Sequence, residues 1–216
     1  MMKRTVSVGP YAAANASIIA TGQVVAANGL FTLASTVMDT PRRLLITSSG
    51  NDSAVTFTIT GTTFGQSVTT ETILGPNTGT VLTVTDWATI TSVTASAGTT
   101  TVSLGTSAAN PGGSAWVKFD GWAGGSAFIQ CSLSGTMSYT IQTTNDDPND
   151  PTTVNSTTIQ GVVWDSNQPG IVGSITTTTT SLPAIPEYIR ILCNSYTAGV
   201  TNFVKMSVLQ TGSVPY

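Results

Sequence analysis

Five successive segments in the first half of the chain alternate at period two: VTFTIT (55–60), SVTTETIL (67–74), TVLTVT (80–85), ATITSVTAS (88–96) and TTVSLG (100–105). Side chains along a strand point to opposite faces in turn, so this spacing builds half-buried strands. An amphipathic helix needs a period near 3.6 and is excluded here. Gly, Asn or Pro bounds each segment, as in sandwiches and barrels of short strands. Within 46–75, the alternation places Val55, Phe57 and Ile59 on one face and Thr56, Thr58 and Thr60 on the other. GTTFGQS (61–67) reads as the hairpin tip, with Gly61 and Gly65 supplying positive φ. The threonine face carries hydroxyls and no charge, so either water or another protein can cover it.

The same texture returns after a Gly/Pro/Ser-rich break, SAANPGGSAW (107–116), in AFIQCSL (127–133), MSYTIQTT (137–144), TIQGVVW (158–164), YIRILCN and NFVKMSVLQ. NDDPNDP (145–151), SNQPG (166–170) and SLPAIPE (181–187) separate these strands with loop chemistry. The expectation is an all-β chain of two tandem small antiparallel β-sandwich domains, Ig-like or jelly-roll-like, with an extended N-terminal arm. Residues 1–40 form the arm and a first strand, GLFTLAS. Residues 41–106, with part of the arm, form the first sandwich. Residues 107–115 are a linker and 116–216 the second sandwich.

Composition narrows the functions. Of 216 residues, 40% are hydrophobic and only 8% charged, against a usual charged share of roughly 25%. Disordered chains also lack β-branched and apolar residues, whereas this one is rich in Thr, Val and Ile, so a buried core is expected. With a net charge of −3 and no basic cluster beyond Lys3-Arg4 and Arg42-Arg43, nucleic acid is not an expected partner. No apolar run approaches the roughly 18 residues of a membrane span. The N-terminus has a basic pair and an Ala14-Asn15-Ala16 site, but Gly9 and Pro10 interrupt the stretch between them, so no secretory signal is expected. Cys131 and Cys193 both sit in apolar alternating strands and read as free thiols packed like small hydrophobes.

Catalytic chemistry is poorly supplied. The chain has no histidine, which removes Ser-His-Asp and Cys-His arrangements and imidazole metal sites. No glycine-rich phosphate loop opens a helix, and no cofactor is expected. Asp146, Asp147 and Asp150, with two Asn beside them, could chelate calcium, but they lack the Gly and distal Glu of an EF-hand loop. The competing reading is a solvated loop in which Asp and Asn bond their own backbone. Asp120, Asp165 and Glu187 are the candidates for a glycosidase carboxylate pair. Trp116, Trp122 and Trp164 either stack on sugars or anchor a core or interface. The expectation is a protein that is not an enzyme.

The order of several motifs resembles virion structural proteins of tailed bacteriophages and prophages. RRLLITSSGNDS leads into TFTITGT, then TETILGPNTGTV and WATITSV. Past the break come LSGTMSYTIQ, DDP and VKMSVLQTG. The stretch after Trp116 is the Gly-rich DGWAGGSAF, where that family usually runs longer and more apolar. The resemblance implies a non-enzymatic protein on the virion surface, made in the bacterial cytoplasm and present in many copies. A capsid decoration or cement protein on the head shell is the leading role. A neck, tail or fibre-base protein is the alternative, and a host- or glycan-binding adhesin a further one. Its partners would be the major capsid protein or other virion proteins and further copies of itself. Tyr11, Ile18 and Ile19 in the arm, Phe64 at the hairpin tip and Trp122 are the partner-binding candidates.

Overall fold

The computed structural model describes residues 2–64, 68–119, 126–148, 171–182, 185–199 and 201–211. Among the described residues there is no helix, and sixteen antiparallel strands make four four-stranded sheets. The chain is all-β. It divides into two compact units. An inserted unit is built on Ala13–Gly112. A flanking unit is built on Met1–Ala12 together with residues after Gly112.

The inserted unit contains β2 (Ala20–Gln23), β3 (Val37–Arg42), β4 (Leu45–Asn51), β5 (Thr56–Thr62), β6 (Val68–Leu74), β7 (Asn77–Leu82), β8 (Trp87–Ala95) and β9 (Val102–Gly105). One sheet runs β2-β9-β4-β7 and the other β3-β8-β5-β6. Eight strands divided between two sheets in this crossing order form a jelly roll. Ile19, Ile46 and Leu104 from one side meet Phe57, Ile59 and Val93 from the other in a single core. The alternation in β5 is as the sequence predicts: Phe57 and Ile59 are fully buried while the threonines between them are half-buried.

The flanking unit repeats this wiring. Its strands are β1 (Met2–Val8), β10 (Ala109–Gly113, a strand that begins within the inserted segment and crosses the boundary at Gly112–Gly113), β11 (Val117–Lys118), β12 (Ala127–Ser134), β13 (Met137–Thr144), β14 (Thr178–Leu182), β15 (Tyr188–Tyr196) and β16 (Phe203–Gln210). The first sheet is β1-β16-β12-β14; in the second, β15 is flanked by β10 and β11 on one path and by β13. Ile171 and Ser174 run beside β13, through Ile141 N–H to Ile171 O at 2.9 Å and a reciprocal Tyr139–Ser174 pair. If β10 and β11 count as one broken strand and 171–174 as another, each unit orders its strands 1-8-3-6 and 2-7-4-5. In sequence, one jelly roll is therefore inserted between the first and second strands of another.

Three sequence-based boundaries need correction. Residues 1–40 are not an extended arm leading into a strand at GLFTLAS: Met2 through Val8 pair along their length with Gln210 through Val204, and the GLFTLAS stretch makes only an isolated bridge at Leu30. Ile19, Val25, Phe31 and Met38 belong to the inserted core. Residues 107–115 are not a free linker: they contain β10, and the chain changes unit at Gly112–Gly113. Gly61 lies inside β5 and not at a turn. A Cβ there would come within 2.0 Å of Thr89 O, so glycine is needed for close strand approach. The positive φ near the hairpin tip falls on Phe64, at 32°; Gly65 lies outside the described residues.

Candidate interaction surface

The inserted unit has six charged side chains in about one hundred residues: Asp39, Arg42, Arg43, Asp52, Glu71 and Asp86. Arg42, Asp52, Glu71 and Asp86 are all buried, as is most of Arg43. Asp39, the most open, keeps 29% of its side chain exposed and is paired. A charge leaves water only where partners replace its hydration, and each of these has them.

Arg42 donates through Nη1 to both carboxylate oxygens of Asp39, at 3.0 and 3.1 Å, and through Nη2 to Ser107 O at 3.1 Å. Arg43 Nε lies 3.8 Å from Asp86 Oδ1, and Arg43 N–H donates to Pro111 O at 2.7 Å. These contacts clamp the 107–111 stretch onto β3 and the start of β4. Gly112 is obligatory there, since its φ is 145° and a Cβ would come within 2.6 Å of Asp86 Oδ1. Glu71 points inward from β6 and accepts from Val84 N–H at 2.8 Å and Thr85 N–H at 2.9 Å. Burial pushes its carboxyl above the ordinary range, against these hydrogen bonds and the nearby Arg43 charge. Asp52 accepts from Ser48 Oγ at 2.5 Å and twice from Thr100. Burial raises its carboxyl too, but the hydrogen bonds outweigh it and hold the group below its usual value. These groups act as clamps between loops and strands.

With all its charges but Asp39 turned inward, the unit presents mainly hydroxyls and aliphatics. On the outer face of β3-β8-β5-β6, pairing register sets the rows. One row reads Leu30, Thr94, Thr58, Thr72. The next is Ser92, Thr60, Thr70. The third is Val37, Thr89, Thr62, Val68, tied by a 2.7 Å hydrogen bond between Thr62 and Thr89 hydroxyls. Leu74 faces outward opposite Thr56. Leu30, Val37, Val68 and Leu74 are each 59–66% exposed, and they occupy the four corners of the face.

No family model, curated protein or solved structure matches the chain.

Of the residues singled out from sequence, Tyr11 and Ile19 are core residues. Tyr11 stacks on Tyr196 with ring centroids 4.7 Å apart. Both sit at inward-facing positions, so neither can dock a partner as drawn from sequence. Ile18 and Phe64 do reach the surface. Trp116 lies under the Arg190 guanidinium, 4.6 Å from its ring centroid, so that face of the indole is already occupied. Glu187 pairs with Lys118 at 3.0 Å, and the Lys118 ammonium sits 5.1 Å from the Tyr188 ring centroid. Asp146 N–H donates to Thr144 Oγ1 at 3.0 Å, and Asn145 Oδ1 accepts from Glu187 N–H at 3.1 Å, which is loop-closing chemistry. Among the described residues no three His, Cys, Asp or Glu cluster as metal ligands. Asp120, Trp122, Asp150, Trp164 and Asp165 lie outside the described residues. Cys131 and Cys193 are buried free thiols.

The corner aliphatics are absent from the sequence-based candidates. Val68, Thr70, Thr72 and Leu74 alternate visibly in the sequence. Assigning them to the outer face requires their register against β5, which no local pattern supplies.

Proposed function

We propose that this chain is a non-enzymatic structural subunit of a phage particle, most simply a decoration or cement protein on the head shell. The observation that carries this is the burial of charge in the inserted unit. A domain that works alone in solution ordinarily disperses itself with exposed Lys, Arg, Asp and Glu. This one places its charges in internal clamps and offers neighbours an uncharged hydroxyl surface, as suits a subunit that spends its life packed in an assembly. The doubled jelly roll is compatible with that role, since the architecture recurs in viral capsids. It recurs in lectins too, so charge placement carries the argument and fold does not. The motif order RRLLITSSGNDS…TETILG…TDW adds to it. Arg42, Arg43, Asp52, Glu71 and Asp86, which make the clamps, come from those motifs.

Quantitative mass spectrometry of gradient-purified particles from a phage encoding this chain tests the reading. Copies in the hundreds per particle support the head role, and a handful per particle moves it to the neck or tail. Absence from the particle overturns the reading.

A further inference from the structure

We propose that the outer face of the β3-β8-β5-β6 sheet is a self-association surface that takes the same face of a second copy. The argument rests on the chemistry of the face and stands whether or not the assembly is a phage.

A face that binds itself through a two-fold axis must be complementary to itself. Charged side chains make this difficult, because any residue near the axis meets its own copy and like charges repel. The rows named above contain no charged residue, and Asp39, exposed on β3 two positions past Val37, is paired with Arg42. Their polar groups are Thr and Ser hydroxyls, each able to donate one hydrogen bond and accept others, so hydroxyl against hydroxyl can be satisfied in either sense. A carboxylate array, which only accepts, could not do this.

The aliphatic positions add a geometric match. Leu30 and Val37 lie along one edge of the face, and Val68 and Leu74 along the other. A two-fold axis in the plane of the face, running along or across the strands, lays corner on corner. Both settings keep the strands of the two copies nearly aligned, as face-to-face sheets prefer. Each aliphatic side chain left exposed in one copy is then covered by another. An interface of apolar contacts around a hydroxyl centre follows from the rows alone.

Size sets its strength. Four strands about 4.8 Å apart and four outward positions about 6.8 Å apart span roughly 300–500 Å² per copy. A standard stable interface buries about 800 Å² per partner. The pair is therefore weak, forming at high local concentration, as on a lattice where many copies are held close.

Sedimentation velocity of the full chain over a hundredfold concentration range tests this. The weight-average mass is expected to rise toward that of a dimer. Val68→Lys, at a corner already 66% exposed, should shift the midpoint at least tenfold higher while leaving the melting temperature unchanged. Thr58→Lys, in the row that begins at Leu30, should do the same. Ser49→Lys, on an exposed position of β4 in the other sheet, adds the same charge elsewhere and should leave association intact. A monomer at every concentration overturns the proposal, and so does association that Val68→Lys and Thr58→Lys leave unchanged. If Val68→Lys weakens attachment to particles without changing self-association, the face serves another protein and the proposal also falls.

Discussion

Asp52 and Thr100, 48 positions apart, are joined twice: Thr100 N–H reaches one carboxylate oxygen at 2.9 Å and its hydroxyl reaches the other at 2.7 Å. With Ser48 the contact ties the β4–β5 turn to the β8–β9 loop. Asp52→Ala leaves a backbone N–H and two hydroxyls without their acceptor, at a cost of about 2–3 kcal/mol. In a unit of this size that lowers the melting temperature by about 10–20 °C. Because hydrogen bonding holds the folded carboxyl below its ordinary value of 3.8, the stabilisation is complete above that value and disappears as pH falls through the folded one. Thermal melts of wild type and Asp52→Asn should differ at pH 7, with the difference shrinking as pH falls below 3.8.

Glu71 should give the opposite slope. Burial raises its folded carboxyl above 4.5, so its contribution is greatest below the unfolded value and is lost as pH rises through the folded one. On going from pH 7 toward pH 4.5, wild type should gain stability relative to Glu71→Gln, a neutral side chain. A difference between the two that stays constant over that range would show that Glu71 does not titrate differently in the folded chain.

The alternation in β5 and the two-sandwich expectation could be read from sequence because both rest on neighbours two residues apart. The nesting could not be read. Thr5 and Val6 look like any short strand, and nothing local indicates that their partners are Ser207 and Met206. The clamps were equally hidden. Arg42 and Arg43 read only as a basic pair too small for nucleic acid, because Asp86, Ser107 and Pro111, which join the nearby Asp39 in receiving them, are more than forty residues away. The stretch around Pro111 read as a linker for the composition that lets it lie flat against those arginines.

Residues 13–112 carry all eight strands and a complete core, so this segment alone should fold. Circular dichroism should show a β spectrum, with a cooperative melt within a few degrees of that unit's transition in the whole chain. Deleting residues 1–12 should do the reverse to the flanking unit. It strips β1 from β16 and removes Tyr11 from Tyr196, whose hydroxyl donates to Ala12 O at 2.7 Å. The truncated chain should lose the flanking transition and keep the inserted one.

Burial pushes the Cys131 thiol up to about 12, which leaves almost no thiolate near neutrality. Cys193 is equally buried. An aromatic disulfide reagent at pH 8 should find no reactive thiol in the native chain and two after denaturation. Rapid native labelling of either cysteine would contradict the core packing.

The pairing of β1 with β16 also fixes an order of events during synthesis. Val8 leaves the ribosome about 195 residues before its partner Val204, a delay of roughly 10–40 s at 5–20 residues per second. Within that interval every strand of the inserted jelly roll has been made and its core can close. The first strand must wait unpaired while an entire domain folds behind it. The flanking jelly roll is then completed last, by the strand that was made first.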